Sequence, residues 1–250
     1  MLKGGASVEL TFVRPEFEKQ VREQLNIYNR PITDQDVLAI TDIDLSEIYC
    51  CSDELVETLS YFHNLTNLDV STGKVPVEFW DNFPQMEELF WICLGGDVDF
   101  NCFRHMENLN NLCVSGGDYS GIDYLNVDAL LGLKKLKYLE LHEFGSVDIA
   151  PLGSMTQLKY FALRYADKVI NIETISKMVF LEELVMDDLW LENADFLDGL
   201  PDTVRLEMCG MQFYNDVDVR KWRRFKERDI CEIEVKHEYW EYIDLSALNE

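Results

Sequence analysis

The chain has 250 residues, 47% hydrophobic and 28% charged, which excludes a disordered, collagenous or coiled-coil chain and fits one large globular domain. Asp plus Glu total 47 against 22 Lys plus Arg, a formal net charge of −25. Such a surface repels nucleic-acid backbones and anionic membranes, and no run of about 18 apolar residues offers a membrane span, so neither nucleic acid nor membrane is expected as a partner.

From the start, Met1 to Leu10 carry one Lys and no apolar core before Glu9, unlike a secretion signal, so a cytoplasmic location is expected. Val8, Leu10 and Phe12 alternate like a short strand. A helix is expected from Pro15 to Leu25, because Pro15 suits an early helical position and Phe17, Val21 and Leu25 share one face. A second helix is expected near Thr33, where Thr33-x-x-Asp36 has the form of a capping box.

From Ile40 the pattern apolar-x-x-apolar-x-apolar recurs eight times, its middle residue falling at Ile43, Leu68, Leu89, Leu112, Leu139, Phe161, Leu184 and Leu206. The spacings are 25, 21, 23, 27, 22, 23 and 22 residues, a period that stacked supersecondary units produce and an amphipathic helix does not. A second apolar ladder precedes each unit by three residues, at Val37, Phe62, Phe83, Met106, Leu133, Met155, Met178 and Leu200. The alternating end of each unit reads as a short strand with one buried face. The stretch ahead of it has helix-like spacing, as in Leu55, Leu59 and Phe62. After Phe213, residues Asp216 to Arg228 read as an amphipathic helix with a solvated basic face. Cys231, Ile233, Val235, His237 and Tyr239 then alternate as a half-buried strand.

This register resembles the leucine-rich repeat family, of the 22-residue class found in bacterial internalins. Asp148 to Leu163 is the most similar unit, and Phe17 to Leu45 is similar to the helical cap that opens internalin arrays. The resemblance implies an α/β fold, a curved horseshoe solenoid with a parallel β-sheet on its concave face. It implies an N-terminal extension and helical cap over 1–36, an array over 37–213 and a helix-strand C-terminal cap over 214–250, all in one domain. It further implies a non-enzymatic protein-binding scaffold or, alternatively, an adhesion or surface-recognition module of internalin type. One column departs from the family. Where an Asn ladder usually bonds the turns, this chain has Ile48, Gly73, Leu94, Gly117, Phe144, Ala166, Leu189 and Met211, so those backbone groups must be satisfied otherwise.

Side chains that alternate with the buried strand residues point out of the core. Four such columns hold eleven carboxylates and two arginines, so the concave face is acidic. Two apolar clusters interrupt it: Phe90 with Ile92, and Tyr138 with Tyr160 on adjacent rungs, accompanied by Glu140, His142, Arg164, Tyr165 and Asp187. Exposed aromatics beside an Arg are the residue types that carry interface energy, so these nine are the candidate partner-binding residues. The acidic surround points to a basic protein partner, and an acidic inhibitor of a basic effector is one form this takes.

Catalytic motifs are not found. His63, His105, His142 and His237 form no pair with metal-ligand spacing, and His142 beside Glu143, with Glu140 nearby, has the elements of an acid-base site but reads as a surface residue. Asp97-x-Asp99-x-Asn101 opens like a calcium loop but has Cys102 and Asn108 where Gly and Glu belong. Gly95-Gly96 and Gly116-Gly117 lack the Lys and Ser/Thr of a phosphate loop and read as crowding relief at strand corners. No metal and no cofactor is expected. The seven cysteines, Cys50, Cys51, Cys93, Cys102, Cys113, Cys209 and Cys231, are odd in number and include no Cys-x-x-Cys, so they are expected as buried thiols.

Overall fold

The computed structural model describes residues 7–48, 53–73, 75–94, 98–116, 125–236 and 239–248. Each repeat contributes one rung to a parallel sheet, and apolar residues on the inner side of every rung stack into one continuous core. The strands in chain order begin with β1 (Asp42–Asp44), β2 (Asn67–Thr72), β3 (Glu88–Cys93), β4 (Asn111–Ser115), β5 (Leu125–Asn126), β6 (Tyr138–Asp148) and β7 (Tyr160–Ile170). They continue with β8 (Glu183–Asp187), β9 (Trp190–Leu191), β10 (Arg205–Cys209), β11 (Gln212–Phe213), β12 (Arg228–Ile230), β13 (Glu234–Lys236) and β14 (Trp240–Tyr242). The main sheet runs β1-β2-β3-β4-β6-β7-β8-β10-β12, with β5 beside β6, and a second sheet runs β14-β13-β11-β9.

The rung register is the one the repeat alignment predicts. Leu68 pairs with Leu89, Leu89 with Leu112, Leu112 with Leu139, Leu139 with Phe161, and Phe161 with Leu184. All eight residues of the preceding apolar ladder, from Val37 to Leu200, are buried. Between rungs the chain crosses the other side of the solenoid, first as α2 (Asp53–Leu59) and then as 3-10 turns such as Phe100–Phe103, Ala150–Ser154 and Ile172–Lys177. A span this short completes a 3-10 turn more readily than an α-helix.

The N-terminal helix α1 (Pro15–Leu25) has the expected bounds and buries Phe17 and Val21 against the first rungs. Its polar side chains cover the open edge of the sheet. Gln20 and Gln24 each donate an amide N–H to β1, at the carbonyls of Asp44 (2.9 Å) and Asp42 (3.0 Å). An unpaired edge otherwise invites another strand. Val8 to Leu10 pair antiparallel with the 32–34 segment, through Leu10 N–H to the Ile32 carbonyl at 2.9 Å and a bridge between Glu9 and Thr33.

Four expectations need correction. No α-helix starts near Thr33. The Thr33 N–H and hydroxyl both donate to Asp36 as in half a capping box, but only the 3-10 turn Val37–Ala39 follows before β1 begins. Residues 216–228 do not form one helix either. They hold the 3-10 turn Val219–Arg224, which stands where earlier rungs have theirs, and then enter a ninth rung in which Leu206 pairs with Arg228. Of the strand expected over 231–239, the described residues give only β13, with Ile233 and Val235 buried and Tyr239 exposed, and His237 lies outside the described residues. Finally, Cys209 and Cys231 form a disulfide, Cα to Cα 4.7 Å, because they occupy successive rungs. Cys93, Cys102 and Cys113 are buried thiols as expected, whereas Cys50-Cys51, Gly95-Gly96, Asp97 and Gly117 lie outside the described residues.

The turns replace the Asn ladder in two ways. The column itself is filled by buried apolar side chains, Phe144, Ala166, Leu189 and Met211. The residue before each one takes the left-handed conformation: Glu143 (φ 61), Tyr165 (φ 54), Asp188 (φ 51) and Gly210 (φ 65), followed one repeat later by Glu232 (φ 52). That single residue turns the chain out of the concave sheet, and only Gly210 does so without steric cost.

Candidate functional site

The candidate residues sit on β3, β6, β7 and β8, and the sheet brings most of them together. Tyr138 lies opposite Tyr160, His142 opposite Arg164, and Arg164 opposite Asp187. The two tyrosine rings stack with centroids 6.0 Å apart and planes tilted by 36°. Tyr138 is 44% exposed, and Tyr160 is half-buried below it. Phe90 and Ile92 are half-buried on β3, separated from the tyrosines by the β4 rung with Asn111, Cys113 and Ser115. They do not join the tyrosine cluster directly. Phe90 instead lines a shallow hollow of about 240 Å³ that reaches Asp69, Glu88, Cys113 and Glu140.

Beneath the tyrosines runs a chain of polar contacts. His142 Nε2 lies 3.0 Å from Glu140 Oε2. The Tyr160 hydroxyl stands close to both Glu140 and Arg164 and interacts electrostatically with each. Arg164 pairs with Asp187 on the next rung. The His142 hydrogen bond, assisted by Tyr160 and Arg164, holds the Glu140 carboxyl below its ordinary range even though burial opposes this. Burial, followed by the Glu140 charge, pushes the Tyr160 hydroxyl up to about 12, so it remains a donor at neutral pH. Burial pushes the Asp187 carboxyl up, against the pull of Arg164, and Glu207 adds repulsion. Burial is the largest influence on Arg164 and works against its charge, but Asp187, Tyr160 and Glu140 together outweigh it and keep the guanidinium above its ordinary value. Arg164 Nε and Asp187 Oδ1 are buried without a hydrogen-bond partner among the described residues. Each such group costs about 1–3 kcal/mol.

Several outward positions are more covered than their direction suggests. Cys113, Ser115, Ala162 and Val185 face the concave side yet are buried, and Asp187 is only 8% exposed. Near β2, burial raises the Asp69 carboxyl, and repulsion from Asp44 and Glu88 adds to it.

Tyr165 leaves the cluster. Its left-handed backbone carries it round the corner, 40% exposed, into a hollow shared with Asp167, Asp188 and Trp190. There it begins an aromatic ledge that the sequence analysis did not anticipate. Trp190 is 50% exposed and packs against Tyr214 (6.4 Å) and Trp240 (5.6 Å), with Lys236 Nζ 5.0 Å above the Trp240 ring. The alternation Leu189-Trp190-Leu191, buried-exposed-buried, was the available signal for it.

By sequence, the chain matches no protein-family model and no curated protein. By structure, it is similar to internalin C2 of Listeria monocytogenes, with 17% identity and a TM-score of 0.65 over 88% of this chain and 92% of that one. The fold is an internalin-like leucine-rich repeat solenoid. The solenoid is also similar to the leucine-rich repeat ectodomain of the Arabidopsis receptor kinase HAESA, crystallised with an extended IDA peptide hormone. That likeness has 14% identity and a TM-score of 0.53, over 77% of this chain and 34% of the plant one. At such identities the likeness concerns the fold.

Proposed function

We propose that the solenoid is a protein-recognition module that docks its partner on the concave face at β6 to β8 and along the adjoining aromatic ledge. The observation that carries this reading is the stack of the exposed Tyr138 on the half-buried Tyr160, beside the charged groups of Glu140, Arg164 and Asp187. Aromatic side chains held rigid by buried polar groups lose little entropy on binding and supply most of the energy at interfaces. Tyr165 supports the same reading. It is 40% exposed and lines the hollow that leads to the aromatic ledge. The plant receptor ectodomain, crystallised with a peptide hormone ligand, supports the reading for a solenoid of this kind.

Binding is favoured over catalysis by the state of the one thiol in the cluster. A nucleophilic cysteine needs a lowered pKa, whereas burial and Glu140 push Cys113 up to about 12. The net charge of −25 favours a partner with basic side chains and a salt-sensitive association. The Cys209–Cys231 disulfide favours the surface or secreted form of the module over the cytoplasmic one expected from the sequence, because such bonds persist in oxidising compartments.

The test is a pull-down from the source cell's lysate and culture medium at low and at high salt, followed by affinity measurement on the captured protein. The variant Tyr160→Ala with Arg164→Ala is expected to fold and to bind at least tenfold more weakly. Equal affinity in the folded variant would remove this face as the site.

A further inference from the structure

We propose that Cys113, Glu140 and His142 form a three-ligand site for a borderline divalent cation of the zinc class on the concave face. The cluster arises from the geometry of the sheet. Glu140 and His142 are two residues apart on β6 and therefore face the same side, and Cys113 on β4 is the registered neighbour of Glu140. The Cys113 Sγ, one Glu140 carboxylate oxygen and a His142 ring nitrogen all lie within 4.8 Å of one another.

A tetrahedral zinc ion with bonds of about 2.0–2.3 Å sets its ligand atoms roughly 3.3–3.8 Å apart. The His142–Glu140 pair, at 3.0 Å, lies about 0.3 Å short of that range, and the thiol, within 4.8 Å of both partners, needs to approach by at most about 1 Å. One thiolate, one imidazole and one carboxylate is a donor set for zinc-class ions. Calcium and magnesium call for more oxygen donors than this set offers.

The surroundings fit the same assignment. The 240 Å³ hollow beside Cys113 and Glu140 opens an approach for the ion and leaves room for a water as fourth ligand. Asp69 and Glu88 line that hollow and favour a cation. Tyr160 stands beside Glu140 outside the cluster, where a neighbouring hydroxyl can help orient a ligating carboxylate. On coordination the thiol proton passes to solvent and sulfur donates its lone pair to the metal, so no oxidant or reductant is required.

The site does not rest on the protein-binding reading, because it is tested on the isolated chain without a partner. Titration with cobalt(II), a spectroscopic stand-in for zinc, is expected to give one equivalent with a thiolate-to-cobalt charge-transfer band that added zinc bleaches. The variants Cys113→Ser and His142→Ala are expected to lose the band or weaken binding at least thirtyfold. Glu140→Gln, which preserves the side-chain shape, is expected to weaken it too, and far-ultraviolet circular dichroism confirms folding in each case. The absence of a charge-transfer band in the parent chain, or an unchanged band in folded Cys113→Ser or His142→Ala, would overturn the assignment.

Discussion

The disulfide at the end of the array makes a quantitative prediction. Cys209 closes β10 and Cys231 follows β12, so the bond ties the last two rungs of the main sheet together across 22 residues. Its absence frees the terminal rung, which is three residues long and pairs with the sheet through β10 alone. In the loop-closure description, a 22-residue loop gives about 2.1 + 1.5R ln 22, or roughly 11 cal/mol/K, which is about 3.4 kcal/mol at 25 °C. For a chain of 250 residues melting as one unit, that corresponds to roughly 7–13 °C in Tm. A repeat array also loses stability locally, so amide exchange should rise most around 205–236. The assay compares the double variant Cys209→Ser with Cys231→Ser against the parent, by thermal melting with and without reductant. Mass spectrometry of denatured, alkylated protein should show two more modified cysteines after reduction than before. A Tm change below about 2 °C, or no gain in alkylation on reduction, would refute both the bond and the energetic reasoning.

Two further outcomes follow from the turns and the N-terminal segment. Tyr165→Gly relieves the left-handed strain at φ 54, so stability should hold or rise by up to about 1 kcal/mol while partner affinity falls; a matched loss of both would make Tyr165 purely structural. Asp36 accepts from Arg30 and from the Thr33 N–H and hydroxyl, and the Arg30 guanidinium holds its carboxyl well below the usual range. Its contribution is therefore complete above the unfolded carboxylate value of about 4 and is lost as pH falls below it. Asp36→Asn should cost about 1–2 kcal/mol at pH 7, with the gap to the parent narrowing toward pH 2; a gap independent of pH would count against the ion pair.

The rungs were legible in the sequence because one face of each must be apolar, and misplacing a strand by one residue would expose that face. The pairs Tyr138–Tyr160, His142–Arg164 and Arg164–Asp187 follow from the repeat alignment alone. The ninth rung was hidden because Arg228 stands where the other rungs carry Leu, Ile or Phe, which removes the apolar signal while the backbone pairing continues. The turns were hidden because Glu143, Tyr165 and Asp188 adopt a conformation that usually signals itself by Gly or Asn. The disulfide and the Cys113 cluster escaped for one shared reason. Spacing rules for cysteine and metal ligands describe neighbours along a chain, whereas a solenoid brings together residues one repeat apart, such as Cys209 with Cys231 and Cys113 with Glu140. The ledge at Trp190, Tyr214 and Trp240 escaped because it belongs to the second sheet, whose short strands carry too few residues to show a period.

Site-specific photo-crosslinking in the source cell tests the central claim most directly. A benzophenone side chain replaces Tyr138 on the concave face and, in a control, the exposed Tyr28 near the N-terminal helix. The account predicts one discrete adduct to a partner protein from position 138, abolished by Arg164→Ala, and none from position 28. Crosslinking from position 28 alone, or none from 138 in cells where the pull-down captures a specific partner, would contradict it.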